Sequence, residues 1–377
     1  MDTITHGIAG ALVAKSFFSE RHGRAATFAL TAASVFPDSD SFATLFSRDS
    51  LAFIEIHRGI THSLVMLPVF SLLFGCLTAL AIRDKRKWPL FSLLYGIGIG
   101  LHILLDVITS YGTMIWSPLS YTRVSWDLVF IIDVVFTSTV LLPQLIAWVY
   151  SDRERSLWRG LGIWIGFTVA GVLLALFLPT VNVSLSAWDV AAASVLVAVL
   201  LWMPSWGGRG FRWRDSSFCR AGVAALALYL LACSLAHRTA FARVQELARS
   251  NEWRVDRIAA LPSPPSLLRW SGLVESEKGI YRASIDLASS TPPSYMLYPD
   301  AEENRYVQAA QSLPDVHRYL RFARFPWVTF QASDGFNLVE FRDVQFFWPP
   351  RGRIQPFTFQ VFLDHEGHVK FSGLLRR

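Results

Sequence analysis

Two apolar stretches, residues 63–82 and 88–109, enclose the basic turn IRDKRKW, and histidines and a carboxylate stand at their far ends. EIHRGITHSLV leads into the first stretch and LHILLDV closes the second. If the pair is an antiparallel helical hairpin, His57, His62, His102 and Asp106 gather at the end opposite the positive turn. A bilayer core of about 30 Å needs roughly 20 apolar residues per helix. Further windows of this kind cover 128–150, 158–178, 187–203 and 218–236, and none follows residue 240. With 52% hydrophobic and 17% charged residues, the 377-residue chain is too apolar for an ordinary soluble protein.

The net charge of +6 is distributed in alternate turns. Arg83, Lys85, Arg86 and Lys87 mark one turn, Arg153, Arg155 and Arg159 the next, and Arg209, Arg212 and Arg214 the third. The turns between them carry only Arg123. The positive-inside rule makes the first set cytoplasmic. The charge therefore reports topology, and no nucleic-acid partner is expected. Counting spans from there places His57, His62, His102, Asp106, Asp127 and everything after residue 240 on the outer side. Cys76 and Cys233 lie within spans and Cys219 at the start of one, which excludes a disulfide framework. The N-terminus lacks a basic n-region and a small-residue cleavage site, so no removed signal peptide is expected.

The pattern predicts a mainly α fold: a polytopic membrane helical bundle with a C-terminal β-rich soluble domain. Residues 1–60 form an N-terminal hairpin, 61–150 the core membrane helices, 151–239 additional membrane helices and 240–377 an extracytoplasmic α+β domain. The hairpin consists of short apolar runs at 4–18 and 25–36 joined by SERHGR. Each run is shorter than a span, which favours a re-entrant hairpin or two helices half sunk in the outer leaflet. If it crosses, Arg21 and Arg24 face the cytoplasm, and the ends near His6 and Asp38 face outward. Gly96, Gly98 and Gly100 predict close helix packing in lipid. Residues 241–257 read as a polar amphipathic helix stopped by LPSPPS. Beyond it, WVTFQA, FNLVEFRDVQFFW and FTFQVFLDHEGHVKF alternate like antiparallel strands, with DHEG as the clearest hairpin turn.

His102 and Asp106, four residues apart, share one helix face one turn from each other. At that spacing they ligate one metal, or one orients the other. Ionisable groups inside an apolar span are costly and mark function. His57 and His62 diverge by roughly 140° on a continuous helix. The expectation is therefore a turn at HRGIT, permitted by Gly59, with Thr61 as N-cap and His62 as the stronger ligand. His57 is then a second ligand or an acid–base group, and Arg58 a bidentate phosphate binder or a headgroup-level anchor. Asp38 and Asp40 in VFPDSDS, and His6 in DTITHGIAG, come to the same face by topology. Asp133 is expected more than a turn inside its span, as a structural or orienting partner. His22, His237, His317, His365 and His368 are expected to be structural or surface groups.

TH near the start, PDSD, HRGITHS and HxxxD occur in this order with spans between them. Over residues 1–142 they resemble the YdjM-like family of LexA-binding, inner-membrane-associated, metal-dependent hydrolases. That family is in turn similar to zinc-dependent phospholipase C and to single-strand nucleases of the same helical fold. The resemblance implies that Asp38 or Asp40, with His62, His102 and Asp106, holds one ion, and that His6 with Asp106 helps hold a second. The soluble enzymes' N-terminal Trp ligand and the His-rich cluster after HxxxD are missing here, the next histidine being His237. One or two ions, zinc first and manganese as the alternative, replace a three-zinc site.

The expected function is an integral inner-membrane hydrolase of a phosphoester or lipid headgroup at the outer face. His57 and Arg58 are its catalytic residues and membrane lipid is its environment and partner. The rival is a non-catalytic membrane protein with a structural metal site and a partner-binding outer domain. A transporter is disfavoured, because the ionisable groups gather at one face instead of lining a path.

Overall fold

The computed structural model describes residues 1–177, 186–264, 266–333, 335–347 and 355–375. Helices α1 (Thr3–Phe17) and α2 (Ser19–Val35) form the N-terminal hairpin, with α2 broken at Gly23, whose φ is 66°. Short helices α3 (Asp40–Leu45) and α4 (Ala52–Ile56) follow. The longer apolar helices are α5 (Leu67–Ala81), α6 (Trp88–Val107), α7 (Val134–Tyr150), α8 (Ser156–Phe177), α9 (Ala187–Trp202) and α10 (Asp215–Ser250).

Among the described residues four helical segments, 85–107, 156–176, 187–206 and 215–250, are long and apolar enough to cross a membrane. Residues 52–62 and 67–81 pass the same test only together, bent by 69°. At 17 residues α7 is shorter than the 128–150 window expected from hydropathy. The reason is local: Asp133 caps the helix by accepting from the Phe136 N–H at 2.9 Å, so 128–133 stays outside it. Asp133 is therefore an N-cap and not an intrahelical group, and its second oxygen accepts from the Tyr229 hydroxyl at 2.7 Å. Apolar side chains such as Leu72 and Leu77 on α5 and Val169 and Leu173 on α8 stay exposed, as a lipid-facing surface requires.

The hairpin runs along the bundle and is not confined to one end of it. Its first turn carries His6 beside Asp106 of α6. Its tip meets the start of α10, where Arg220 donates to the Ser16 carbonyl at 2.9 Å and Ser216 to Glu20 at 2.6 Å. Gly98 is where α6 touches α2: a Cβ there would stand 2.4 Å from Ala33 Cβ and 2.9 Å from the Leu30 carbonyl. Gly98→Val is expected to lower stability by about 1–3 kcal/mol through forced backbone separation. Gly100→Ala, which meets only Leu67 Cδ1 at 3.5 Å, is expected to be near neutral. Unfolding of both variants in mild detergent checks the pair.

Helix α10 corrects a second expectation. The polar segment after residue 240 is the continuation of the last span, because nothing between Gly222 and Asn251 breaks the helix. At 36 residues it is about 54 Å long. Its far end packs Ala240, Val244 and Ala248 on Trp270, Val274 and Ala260. Those residues belong to an antiparallel sheet of β1 (Arg257–Pro262), β2 (Arg269–Ser276), β3 (Gly279–Asp286) and β4 (Ser294–Tyr298). After α11 (Arg305–Gln311) and α12 (Pro314–Phe322) comes a second antiparallel sheet, of β5 (Pro326–Ala332), β6 (Asn337–Asp343), β7 (Phe359–Leu363) and β8 (Val369–Leu374). Strand β6 alternates buried and half-buried positions along its length, as a strand with one face on a core does.

This C-terminal domain sits on the end of the bundle that carries the histidines. Arg324 pairs with the buried Asp127 at 2.8 Å, and Arg318 reaches Glu55 at 2.8 Å and also Asp49. Leu51, Ile54 and Tyr111 share one apolar cluster with Tyr319, Phe341 and Phe359. The basic turn 83–87 lies at the opposite end of α5 and α6.

Candidate metal centre

Three elements converge at this end. Helix α6 brings His102 and Asp106 on one face, both fully buried. The 3-10 turn Phe36–Ser39 after α2 delivers Asp38, and the 3-10 turn Ile60–His62 delivers His62. Between α4 and that turn the backbone reverses at Arg58, which holds a φ of 62°. Few non-glycine residues adopt this region without a compensating contact. Gly59 follows because a Cβ there would stand 2.8 Å from the Ile56 carbonyl.

The tautomers of both imidazoles follow from their partners. His102 Nδ1 lies 2.7 Å from the Ser34 carbonyl, which can only accept, so Nδ1 carries the proton and Nε2 is bare. The Thr61 hydroxyl donates to Asp40 Oδ2 at 3.1 Å and so accepts from His62 Nδ1 at 3.0 Å, which bares His62 Nε2 as well. Thr61 is thus an orienting group and not the expected helix cap, since α5 begins only at Leu67. The two bare nitrogens face each other at 3.0 Å. Asp106 Oδ2 is 3.2 Å from His62 Nε2 and 3.4 Å from His102 Nε2, and makes no hydrogen bond to either. Asp38 Oδ1 is 3.6 and 3.5 Å from the same two nitrogens.

Lone pairs and carboxylates pointed at one spot would favour a cation there. Four ligands about 2.0–2.1 Å from a tetrahedral ion stand about 3.3–3.4 Å apart, and the spacings between these atoms scatter around that value. Asp38, His62, His102 and Asp106 therefore form a group able to hold a metal ion. The group offers two nitrogen and two oxygen donors.

The remaining expected residues surround this group. Asp40 holds His57 Nδ1 through Oδ1 at 2.9 Å and lies 3.3 Å from His62 Nδ1 through Oδ2, so one carboxylate aligns two imidazoles. It also accepts the Arg58 N–H at 3.0 Å. His6 stacks on His102 at 3.7 Å and sets Nε2 3.2 Å from Asp106 Oδ1. That oxygen, the one a second ion would need, also binds Arg58 at 2.9 Å and the Met1 amino group. Arg58 is buried, with further contacts to Thr109 at 3.0 Å and to the Tyr111 ring at 4.8 Å. Burial pushes the Asp38 and Asp40 carboxyls up, but the facing imidazoles outweigh it and hold both well below the usual carboxylate range. His102 and His62 do so at Asp38, and His57 and His62 at Asp40.

Sequence reasoning missed Thr3, whose hydroxyl donates to Asp38 at 2.6 Å, and Tyr111 beside Arg58. It also missed the work of Arg123, which donates to the Gly112 carbonyl at 3.0 Å and to the Ile54 carbonyl, bracing the loop under His57. Only Arg123 had left a signal, as the lone basic residue between the apolar stretches 88–109 and 128–150. Asp364, Glu366 and His368 form an exposed acidic turn far from this group, and His22 lies at the hairpin tip.

Residues 1–177 match the family model described as YdjM inner membrane protein. Over these 177 of its 377 residues the chain is similar to the YdjM inner membrane protein family. No curated protein and no solved structure matches the chain. The YdjM region contains α1 to α8 and every residue of the metal-binding group, while α9, α10 and both sheets lie beyond it.

Proposed function

We propose that this membrane protein is a metal-dependent hydrolase acting on a phosphoester or lipid headgroup at the outer face of the membrane. The observation that carries the reading is the pair of bare, facing imidazole nitrogens completed by Asp38 and Asp106. Those four residues would hold one divalent ion, which supplies an activated water and polarises a phosphoryl oxygen.

The chain's own groups have separable tasks. Asp40 keeps the proton of His57 on Nδ1, which leaves His57 Nε2 to take and return a proton at the reacting centre. Asp106 is held through Oδ1 by Arg58, which leaves Oδ2 free to help hold an ion. Arg58 also lines the cavity above the site, with its Nε unpartnered, and offers positive charge to a phosphoryl group. Buried Tyr111 closes the site floor against water on that side.

The test is hydrolysis of phosphodiesters by the full chain in detergent or nanodiscs. His57→Ala is expected to lower kcat by about 10² to 10⁴ while retaining the metal. A wild-type protein that binds metal but hydrolyses no phosphoester favours the structural-site alternative. The outer placement rests on the basic turns. A C-terminal tag is expected to be reachable from outside intact cells, and a cytoplasmic tag reverses the orientation.

A further inference from the structure

A cavity of about 1320 Å³ extends from His57 and Arg58 up between the bundle and the two sheets. It exceeds the roughly 300–1,000 Å³ of ordinary small-ligand sites. Most of its wall comes from residues 261–375, outside the YdjM region. Among the described lining residues Arg58, Arg269, Arg282 and Arg342 are cationic, and Glu340 is the one acidic side chain. Glu340 is already taken, by Arg342 and by Gln360 at 2.8 Å. The cavity thus presents unbalanced positive charge.

Its polar groups are also incompletely used. Arg342 Nε on β6, Arg58 Nε, the Tyr111 hydroxyl and Ser110 Oγ are buried without a hydrogen-bond partner, and all four residues line the cavity. Each is a donor, and Gln345 Oε1 is the one lining atom in this state that can only accept. Arg342 lies over the Trp327 ring at 5.5 Å, so the guanidinium is backed by an aromatic wall that limits water on one side. Buried polar groups are normally hydrogen-bonded. Unpartnered Nε donors on Arg58 and Arg342, with the further cations Arg269 and Arg282 on the wall, suit a ligand with two separated anionic groups.

We propose that the chamber binds a phosphoester lipid whose headgroup carries a second negative charge. Its bridging phosphate lies at the metal-binding end and its distal anion on Arg342 of the C-terminal sheet. This rests on the hydrolase reading for the placement of the bridging phosphate. It assigns the C-terminal domain the role of headgroup selection.

The probe is a matched pair of soluble lipids, dihexanoyl phosphatidylinositol and dihexanoyl phosphatidylinositol 4-phosphate, which differ by one distal phosphate. Calorimetric binding to the full-length protein in nanodiscs is expected to favour the doubly charged lipid about tenfold or more. Arg342→Gln is expected to abolish that preference, and Arg342→Lys to restore part of it. Equal affinity of the wild type for both lipids overturns the proposal without any variant being needed. A preference that persists in a folded Arg342→Gln protein overturns the role of Arg342. Hydrolysis is scored separately: a preference without turnover removes the hydrolase reading and leaves the anion chamber standing.

Discussion

His102→Ala is expected to reduce bound divalent metal from about one ion per chain to near zero, and to remove phosphoester hydrolysis with it. The side chain supplies one of two bare nitrogens, and Asp38, Asp106 and His62 alone leave one coordination position empty. The fold is expected to survive. The losses are the stack on His6 and the partner of the Ser34 carbonyl. The unpaired carbonyl costs about 1–3 kcal/mol. Metal content by elemental analysis, with circular dichroism on the same sample, separates loss of the ion from loss of the protein.

Asp106→Ala is expected to be the most destabilising single change at the site, by about 3–5 kcal/mol. Asp106 is fully buried and is the anionic partner of Arg58, itself 1% exposed. It also holds the Met1 amino group and His6. Removing it leaves buried positive charge without compensation, which costs far more than the net worth of the pair. Arg58→Met combined with Asp106→Ala is expected to recover much of the loss, because it removes the stranded charge together with its partner. Denaturant unfolding of the single and double variants in detergent reads the difference. Additive losses contradict the pairing.

Much of the site was legible because membrane chemistry makes an ionisable residue conspicuous. His102 and Asp106 stood inside an apolar span, and charge counting along the turns then brought His62, Asp38 and His6 to the same end. The two carboxylates of PDSD could not be told apart, since their separate roles depend on the 3-10 turn after α2. That turn aims Asp38 at the ion position and Asp40 at the histidine Nδ1 atoms. Asp133 was misplaced because hydropathy registers apolar residues and not the helix start, which its own side chain sets. The single helix through residue 250 was hidden by a change of solvent. The far end of the helix packs on a sheet, so its polarity changes while its backbone does not. The cavity wall left no readable signal, because Trp327 and Arg342 sit in strands whose alternation reads as an ordinary core.

The central claim is that Asp38, His62, His102 and Asp106 hold a catalytic divalent ion. Elemental analysis of wild-type protein, extracted in mild detergent and purified without refolding or chelator, tests it most directly. About one zinc or manganese per chain is the predicted result. Wild-type protein that holds no stoichiometric divalent metal contradicts it.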